Sequence, residues 1–216
     1  KNIKSFKFFN ELKDMKLKIC GIRDIDILKY TCDMGVNFAG FIMPDDSPRK
    51  ISNNFISSLE NFNFKDTLPV FVFVNPSRAE VLEITTKFNN AILQFHGDES
   101  EDFCKQFNQP FWKTIRIKNS QSLESINNFA SADALLLETY VDDAYGGTGK
   151  VFDWTLLSNI QLCKKFVLAG GINSKNIKEA ISFNPWCIDV NSGVESSLAF
   201  KDKTLMAQII KNFKNE

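Results

Sequence analysis

The sequence predicts a single-domain α/β fold, a (β/α)8 barrel of the TIM type with a short N-terminal helical extension. Short β-rich runs alternate with helical patterns eight times. The runs recur about every 20 to 30 residues, the period of repeated βα units. No composition shift or linker divides the chain. Strict alternation requires a parallel sheet covered by helices, and eight units in about 200 residues suit a small closed barrel. An open doubly wound sheet is the competing arrangement, and eight units favour closure.

The elements follow in order. In residues 1–15 (KNIKSFKFFNELKDM), Phe6, Phe9 and Leu12 recur at the spacing of a short amphipathic helix. This extension precedes a barrel spanning 16–216, and Met15 is a candidate natural start. Apolar, β-branched or aromatic runs place strands at 16–21, 38–43, 69–74, 91–97, 111–117, 134–139, 165–171 and 187–193. Helical patterns lie between them at 24–34, 77–88, 99–108, 121–129 and 174–183, several opened by Asp, Ser or Asn.

Composition excludes several classes of function. Lys plus Arg and Asp plus Glu are 26 each, so no basic excess points to nucleic acid or a membrane surface. No apolar run approaches the roughly 20 residues of a membrane helix, and none resembles a signal peptide. The five cysteines are scattered, odd in number and form no C-x-x-C, which speaks against disulfides or zinc and for a reducing cytoplasm. The fold reading leaves monomer and homodimer open.

In a barrel the chemistry sits at the C-terminal ends of the strands, and those ends are polar or glycine-rich here: Cys20-Gly21, His96-Gly97, Glu138-Thr139, Gly170-Gly171 and Asp189 to Gly193. Strand alternation sets Lys18 and Cys20 on one face. Lys18 needs a buried partner, for which Asp189 on the adjacent last strand is suited. A cation so close is expected to lower the Cys20 pKa from about 8.5 toward neutrality and yield a thiolate base; the alternative is a small buried hydrophobe. Glu138, against an apolar wall, can act as a proton donor, or it is a solvated residue opening a loop. His96, the sole histidine, shares a face with Gln94 and cannot build a metal site alone; it either orients a substrate group or is structural. The glycines of AGG (169–171) and NSG (191–193), with YGGTG (145–149) upstream, are suited to cradling a phosphate, although glycine often only makes turns. Arg49 of SPRK can pair with a carboxylate, or it is a surface arginine.

With these residues in view, the chain resembles the phosphoribosylanthranilate isomerases of tryptophan biosynthesis from about Lys16 onward. The stations KICG, GFIMPDDSPRKIS, VFVFVN, LQFHGDE, LLLET, YGGTGKVFDW, LAGGINSKNI and IDVNSGVE occur in family order. The resemblance implies an Amadori rearrangement of N-(5-phosphoribosyl)anthranilate, a small phosphosugar substrate, without metal or organic cofactor. It implies Cys20 as the general base at ribose C2, Arg49 at the anthranilate carboxylate, and phosphate over Gly170, Gly171, Ser192 and Gly193. His96 and Asp189 are expected to contact the substrate as well. The glycine after Cys20 is expected to leave room for the sugar. Two positions depart from the family pattern: its acid is an aspartate where this chain has Glu138, and its DVSSG reads DVNSG, with Asn191 replacing a serine. A silent phosphosugar-binding barrel and another phosphosugar isomerase are the rival readings. The first is favoured by Glu138 and opposed by intact Cys20 and Arg49. The histidine-pathway isomerases, which use two carboxylates and two phosphate sites, exemplify the second.

Overall fold

The computed structural model describes residues 15–140, 151–159 and 164–214. The expected helix at 1–15, apart from Met15 itself, and the YGGTG segment lie outside these residues. Eight parallel strands close into a barrel: β1 (Lys16–Ile19), β2 (Phe38–Ile42), β3 (Leu68–Phe73), β4 (Ile92–Phe95), β5 (Phe111–Ile117), β6 (Ala134–Thr139), β7 (Phe166–Leu168) and β8 (Cys187–Val190). Closure comes from β1 pairing with both β2 and β8, with Lys18 opposite Asp189.

Alternation along the strands divides the core in two. Outward-facing residues such as Leu17, Ile19, Phe41, Phe71, Leu93, Leu135 and Ile188 pack under the helices. Inward-facing Phe38, Val70, Ile92, Trp112, Leu136, Val167 and Cys187 form an apolar plug at the bottom of the barrel. Above the plug the buried inward positions turn polar, with Lys18, Gln94, His96, Thr114, Glu138 and Asp189. This change is what makes the upper barrel a site and the lower barrel a foundation.

Several strands are shorter than the sequence predicts, and the cause is local. β1 stops at Ile19 because Gly21 takes a left-handed φ of 74°. β7 stops at Leu168 ahead of Gly170 and Gly171, at φ of 89° and 67°. The helix α1 (Ile25–Asp33) is capped by the Asp24 side chain, and α3 (Arg78–Lys87) by a Ser77–Glu80 capping box. Between them lies α2 (Asn53–Leu59), capped by Ser52. The helix expected at 99–108 divides into α4 (Glu101–Cys104) and a 3₁₀ turn (Lys105–Phe107). The one expected at 121–129 is a 3₁₀ segment, Ser120–Asn128. That segment fully buries none of its residues, and only Leu123 and Ile126 rest partly buried on the core, a narrow contact that does little to reward a regular α-helix. A further 3₁₀ turn, Trp154–Asn159, precedes β7. After β7 come α5 (Ile177–Ser182) and, beyond β8, α6 (Lys203–Lys214). A small hairpin of β9 (Glu195–Ser197) and β10 (Phe200–Lys201), not foreseen from the sequence, lies over the mouth between β8 and α6.

Candidate active site

Two buried charge clusters organise the barrel mouth. The first hangs from β1. Lys18 is 0% exposed, and its Nζ donates to Asp189 Oδ2 at 2.7 Å and to Gln94 Oε1 at 3.0 Å. Burial alone would lower the Lys18 pKa, but Asp189 and Cys20 outweigh it and hold the ammonium charged. Asp189 moves up from the ordinary carboxylate range, because burial raises it more than Lys18 lowers it. Among the described residues its Oδ1 has no hydrogen-bond partner, and Asp189 lines the same cavity as Cys20.

The expected lowering of the Cys20 pKa does not occur in the ligand-free protein. Burial raises it, and the Lys18 cation, already matched by Asp189, only partly opposes this. The resting group is a thiol. Its seat depends on β2, where a Cβ on Gly40 would stand 2.6 Å from Cys20 Sγ and 2.9 Å from its Cα. Gly40→Ala is therefore expected to cost about 1–3 kcal/mol by overpacking and to displace the thiol. Denaturant unfolding together with turnover checks this, and a variant with wild-type stability and activity would refute the packing argument.

Gly21 has a different reason from the one expected. Its missing Cβ leaves room for protein: a Cβ there would meet Asn191 Oδ1 at 2.8 Å and Arg49 Cδ at 3.1 Å. With its left-handed backbone, Gly21 lets the second cluster close over β1.

That cluster holds Arg49. The loop after β2 folds back, with Ile51 N bonded to Ile42 O, and Arg23 donates to the Pro48 carbonyl. The guanidinium so delivered is buried and donates to Glu195 through Nε and Nη2, both at 2.8 Å. Lys201, brought back by the β9–β10 hairpin, donates to Glu195 Oε1 at 2.8 Å and to Asn191 Oδ1 at 2.7 Å. Two cations against one carboxylate leave this side of the mouth positive. The Asn191 departure thus gives Lys201 an acceptor. Gly40 and Glu195 fall inside the GFIMPDDSPRKIS and IDVNSGVE stations, but nothing in the sequence assigned them a role and nothing pointed to Lys201, because those roles rest on contacts between strands and loops far apart in the chain.

Burial alone would raise the Glu195 pKa, but Arg49 and Lys201 reverse this and pull it down to about 2. A depressed folded-state pKa contributes stability that is present above the unfolded value and lost as pH falls toward the folded one. Unfolding free energy of wild type is thus expected to fall between about pH 4.3 and 2 with a contribution from Glu195. Glu195→Gln should flatten that part of the curve; an unchanged acid slope would refute the assignment.

Across the mouth, Nε2 of His96 lies 2.7 Å from Oε2 of Glu138, a close approach turned off the ideal N–H direction. His96 Nδ1 lies 3.0 Å from both Gln94 Nε2 and Thr114 Oγ1. A separate buried pair, Lys113 with Glu99 at 2.9 Å, pins the loop after β4 through the Gly97 carbonyl and the Gly97 and Asn75 N–H groups.

One cavity is lined by Cys20, Arg49, His96, Glu138, Gly170, Gly171, Asp189 and Ser192, so eight of the nine expected site residues meet there. Gly193 stands behind them: a Cβ on it would run into the Ile172 carbonyl, so it lets the loops after β7 and β8 approach. Asp142 and Asp143, which follow β6 in the sequence, lie outside the described residues. No cluster of metal-ligating side chains occurs among the described residues.

The family model described as N-(5'-phosphoribosyl)anthranilate (PRA) isomerase matches residues 17–212. The chain belongs to this family. Membership makes it an aldose–ketose isomerase of tryptophan biosynthesis. The N-(5'-phosphoribosyl)anthranilate isomerase of Legionella pneumophila (strain Lens) is 38% identical over 204 residues, 91% of this chain and 96% of the relative. The crystal structure of the phosphoribosyl anthranilate isomerase of Thermotoga maritima superposes with a TM-score of 0.85 at 29% identity, covering 94% of this chain and 100% of that one. Another isomerase structure, in complex with reduced 1-(o-carboxyphenylamino)-1-deoxyribulose 5-phosphate, has a TM-score of 0.82 at 27% identity, with coverages of 94% and 100%.

Proposed function

We propose that this chain rearranges N-(5-phosphoribosyl)anthranilate to 1-(2-carboxyphenylamino)-1-deoxyribulose 5-phosphate, with Glu138 as general acid and Cys20 as general base. The observation that carries the reading is that a thiol and a carboxyl at strand ends line one cavity, with cationic Arg49 and the glycine turns on its rim. A family member that binds a reduced form of that product supports the substrate class.

The chemistry follows the charge layout. Glu138 gives its proton to the furanose oxygen as the C1–O bond breaks, and the anilino nitrogen lone pair forms a C1=N iminium. The thiolate of Cys20 removes the C2 proton, and the released electron pair forms C1=C2 and neutralises the nitrogen. The resulting enol becomes the ketone as C1 takes up a proton and the C2 hydroxyl gives one up. Because burial keeps the thiolate a minor form of the free protein, the iminium charge beside it favours ionisation when it is needed. Asp189 Oδ1, an acceptor without a protein partner among the described residues, takes a ribose hydroxyl, and His96 borders the sugar.

Arg49 presents the Nη1 side of its fork to the anthranilate carboxylate while Glu195 holds Nε and Nη2. The turn backbone at Gly170, Gly171, Ser192 and Gly193 receives the phosphate. Gly171→Val should weaken binding of phosphate-bearing product analogues much more than binding of free anthranilate; equal loss would move the phosphate elsewhere. We place the enzyme in the cytoplasm, with its small phosphosugar as the required partner and no cofactor in the cycle. Complementation of a tryptophan auxotroph lacking this isomerase, followed by a turnover assay on the purified chain, tests the reading. A chain that binds product analogue and turns nothing over is the silent barrel instead.

A further inference from the structure

We propose that Gln94 acts as a tautomer lock, fixing the His96 proton on Nε2 and so making His96 a positioning residue for Glu138. The inference rests on the assignment of Glu138 as the general acid. It begins from donor and acceptor counting across five buried side chains.

Lys18 carries only donors, so the Gln94 atom 3.0 Å from its Nζ must be the carbonyl oxygen Oε1. The lysine itself is fixed, being fully buried and tied to Asp189 at 2.7 Å. The Gln94 amide is thereby oriented, and the group it presents to His96 Nδ1 at 3.0 Å is its NH2. An NH2 can only donate, so Nδ1 must accept and carries no proton. Thr114 Oγ1, also 3.0 Å from Nδ1, can then only add a second donor. A neutral imidazole with a bare Nδ1 has its proton on Nε2, which is the atom 2.7 Å from Glu138 Oε2.

The consequence for catalysis lies in what this tautomer prevents. With Nε2 protonated, the only basic lone pair of His96 points away from Glu138 and is occupied by Gln94. The imidazole therefore cannot take the carboxyl proton, which is left to the furanose oxygen. Once that proton has gone, the Nε2–H, although turned off the hydrogen-bond line at rest, lies with its positive end 2.7 Å from the carboxylate left behind and favours it. The opposite tautomer would set a basic nitrogen 2.7 Å from Glu138 and compete with the substrate for its proton. Lys18 thus serves both ends of the site: it acts on Cys20 directly, and through Gln94 and His96 it reaches the acid.

The chain contains a single histidine, so 15N NMR of histidine-labelled protein, made without a histidine tag, reads the lock directly. The full-length wild type at neutral pH should show protonated Nε2 and bare Nδ1. Gln94→Glu keeps an acceptor for Lys18 but has no donor for His96, so Nδ1 should become protonated. Its kcat should fall about 10- to 100-fold with KM unchanged, as for a mis-set catalytic group. Should Gln94→Glu not fold, Gln94→Met removes the donor without adding charge; both tautomers should then appear and kcat should fall. A wild type protonated on Nδ1, or variants that keep the wild-type nitrogen signals, would overturn the lock. A switched tautomer with unchanged kcat would overturn its role toward Glu138. A purely structural Gln94 would lower stability without moving the nitrogen signals, which also counts against the proposal. A wild type without turnover would defeat the functional reading instead, while the nitrogen signals would still test the lock.

Discussion

Cys20→Ser is expected to lower kcat by about 10²- to 10⁴-fold, the usual worth of a general base, while leaving the affinity for a reduced product analogue nearly intact. Serine keeps the small side chain that the contact with Gly40 requires, so the loss reports chemistry rather than packing. A hydroxyl in the same place ionises far less readily than a thiol, and the buried Lys18 beside it cannot make up the difference. Because burial holds the resting thiol above its ordinary range, kcat/KM of the wild type should still be rising with pH above about 8.5, the ordinary thiol value. In the serine variant that rise should be gone. A serine enzyme at near wild-type rate removes Cys20 from the mechanism. A wild-type profile already flat at neutral pH would show that Lys18 prevails over burial after all.

Glu138→Gln is the second large effect, with kcat expected to fall about 10²-fold or more and KM to stay close to wild type. The amide fills the same space beside His96 and has no acidic proton to give. The family pattern carries an aspartate at this position, and the longer side chain here reaches a seat 2.7 Å from His96 Nε2. Glu138→Asp should therefore retain an acid while withdrawing it from the imidazole. Its rate should fall between those of wild type and the glutamine variant, since a shift of about 1 Å can cost up to about 10²-fold. Asp142→Asn and Asp143→Asn should each change kcat little. An active Glu138→Gln enzyme alongside a dead aspartate variant would move the acid to the segment that follows Tyr140 in the sequence.

The repeat of eight βα units was legible without coordinates because burial imposes a period on each element. So was the placing of polar and glycine residues at strand ends, and the motif order carried the family with it. Cys20, Glu138 and the two glycine turns could be singled out for the same reason, since each sits where its own strand stops, and Arg49 because its SPRK run follows the second strand; both are local properties of the chain. Lys18 and Asp189 could be paired because closure makes the first and last strands neighbours.

What escaped were quantities set by several elements at once. Lys18 is near enough to acidify Cys20, yet the sign of the shift came from how completely the barrel buries the thiol and from the charge Asp189 had already matched. Gly21 looked like space for a sugar, whereas the tertiary structure fills that space with Asn191 and Arg49. Glu195 and Lys201 carried no recognisable spacing; only the β9–β10 hairpin turns Lys201 back onto Glu195, where the pair fixes Arg49. A sequence places a side chain on an element, but its charge state and its partners depend on desolvation and on groups up to 171 positions away, as between Lys18 and Asp189. Those are settled only when the barrel closes.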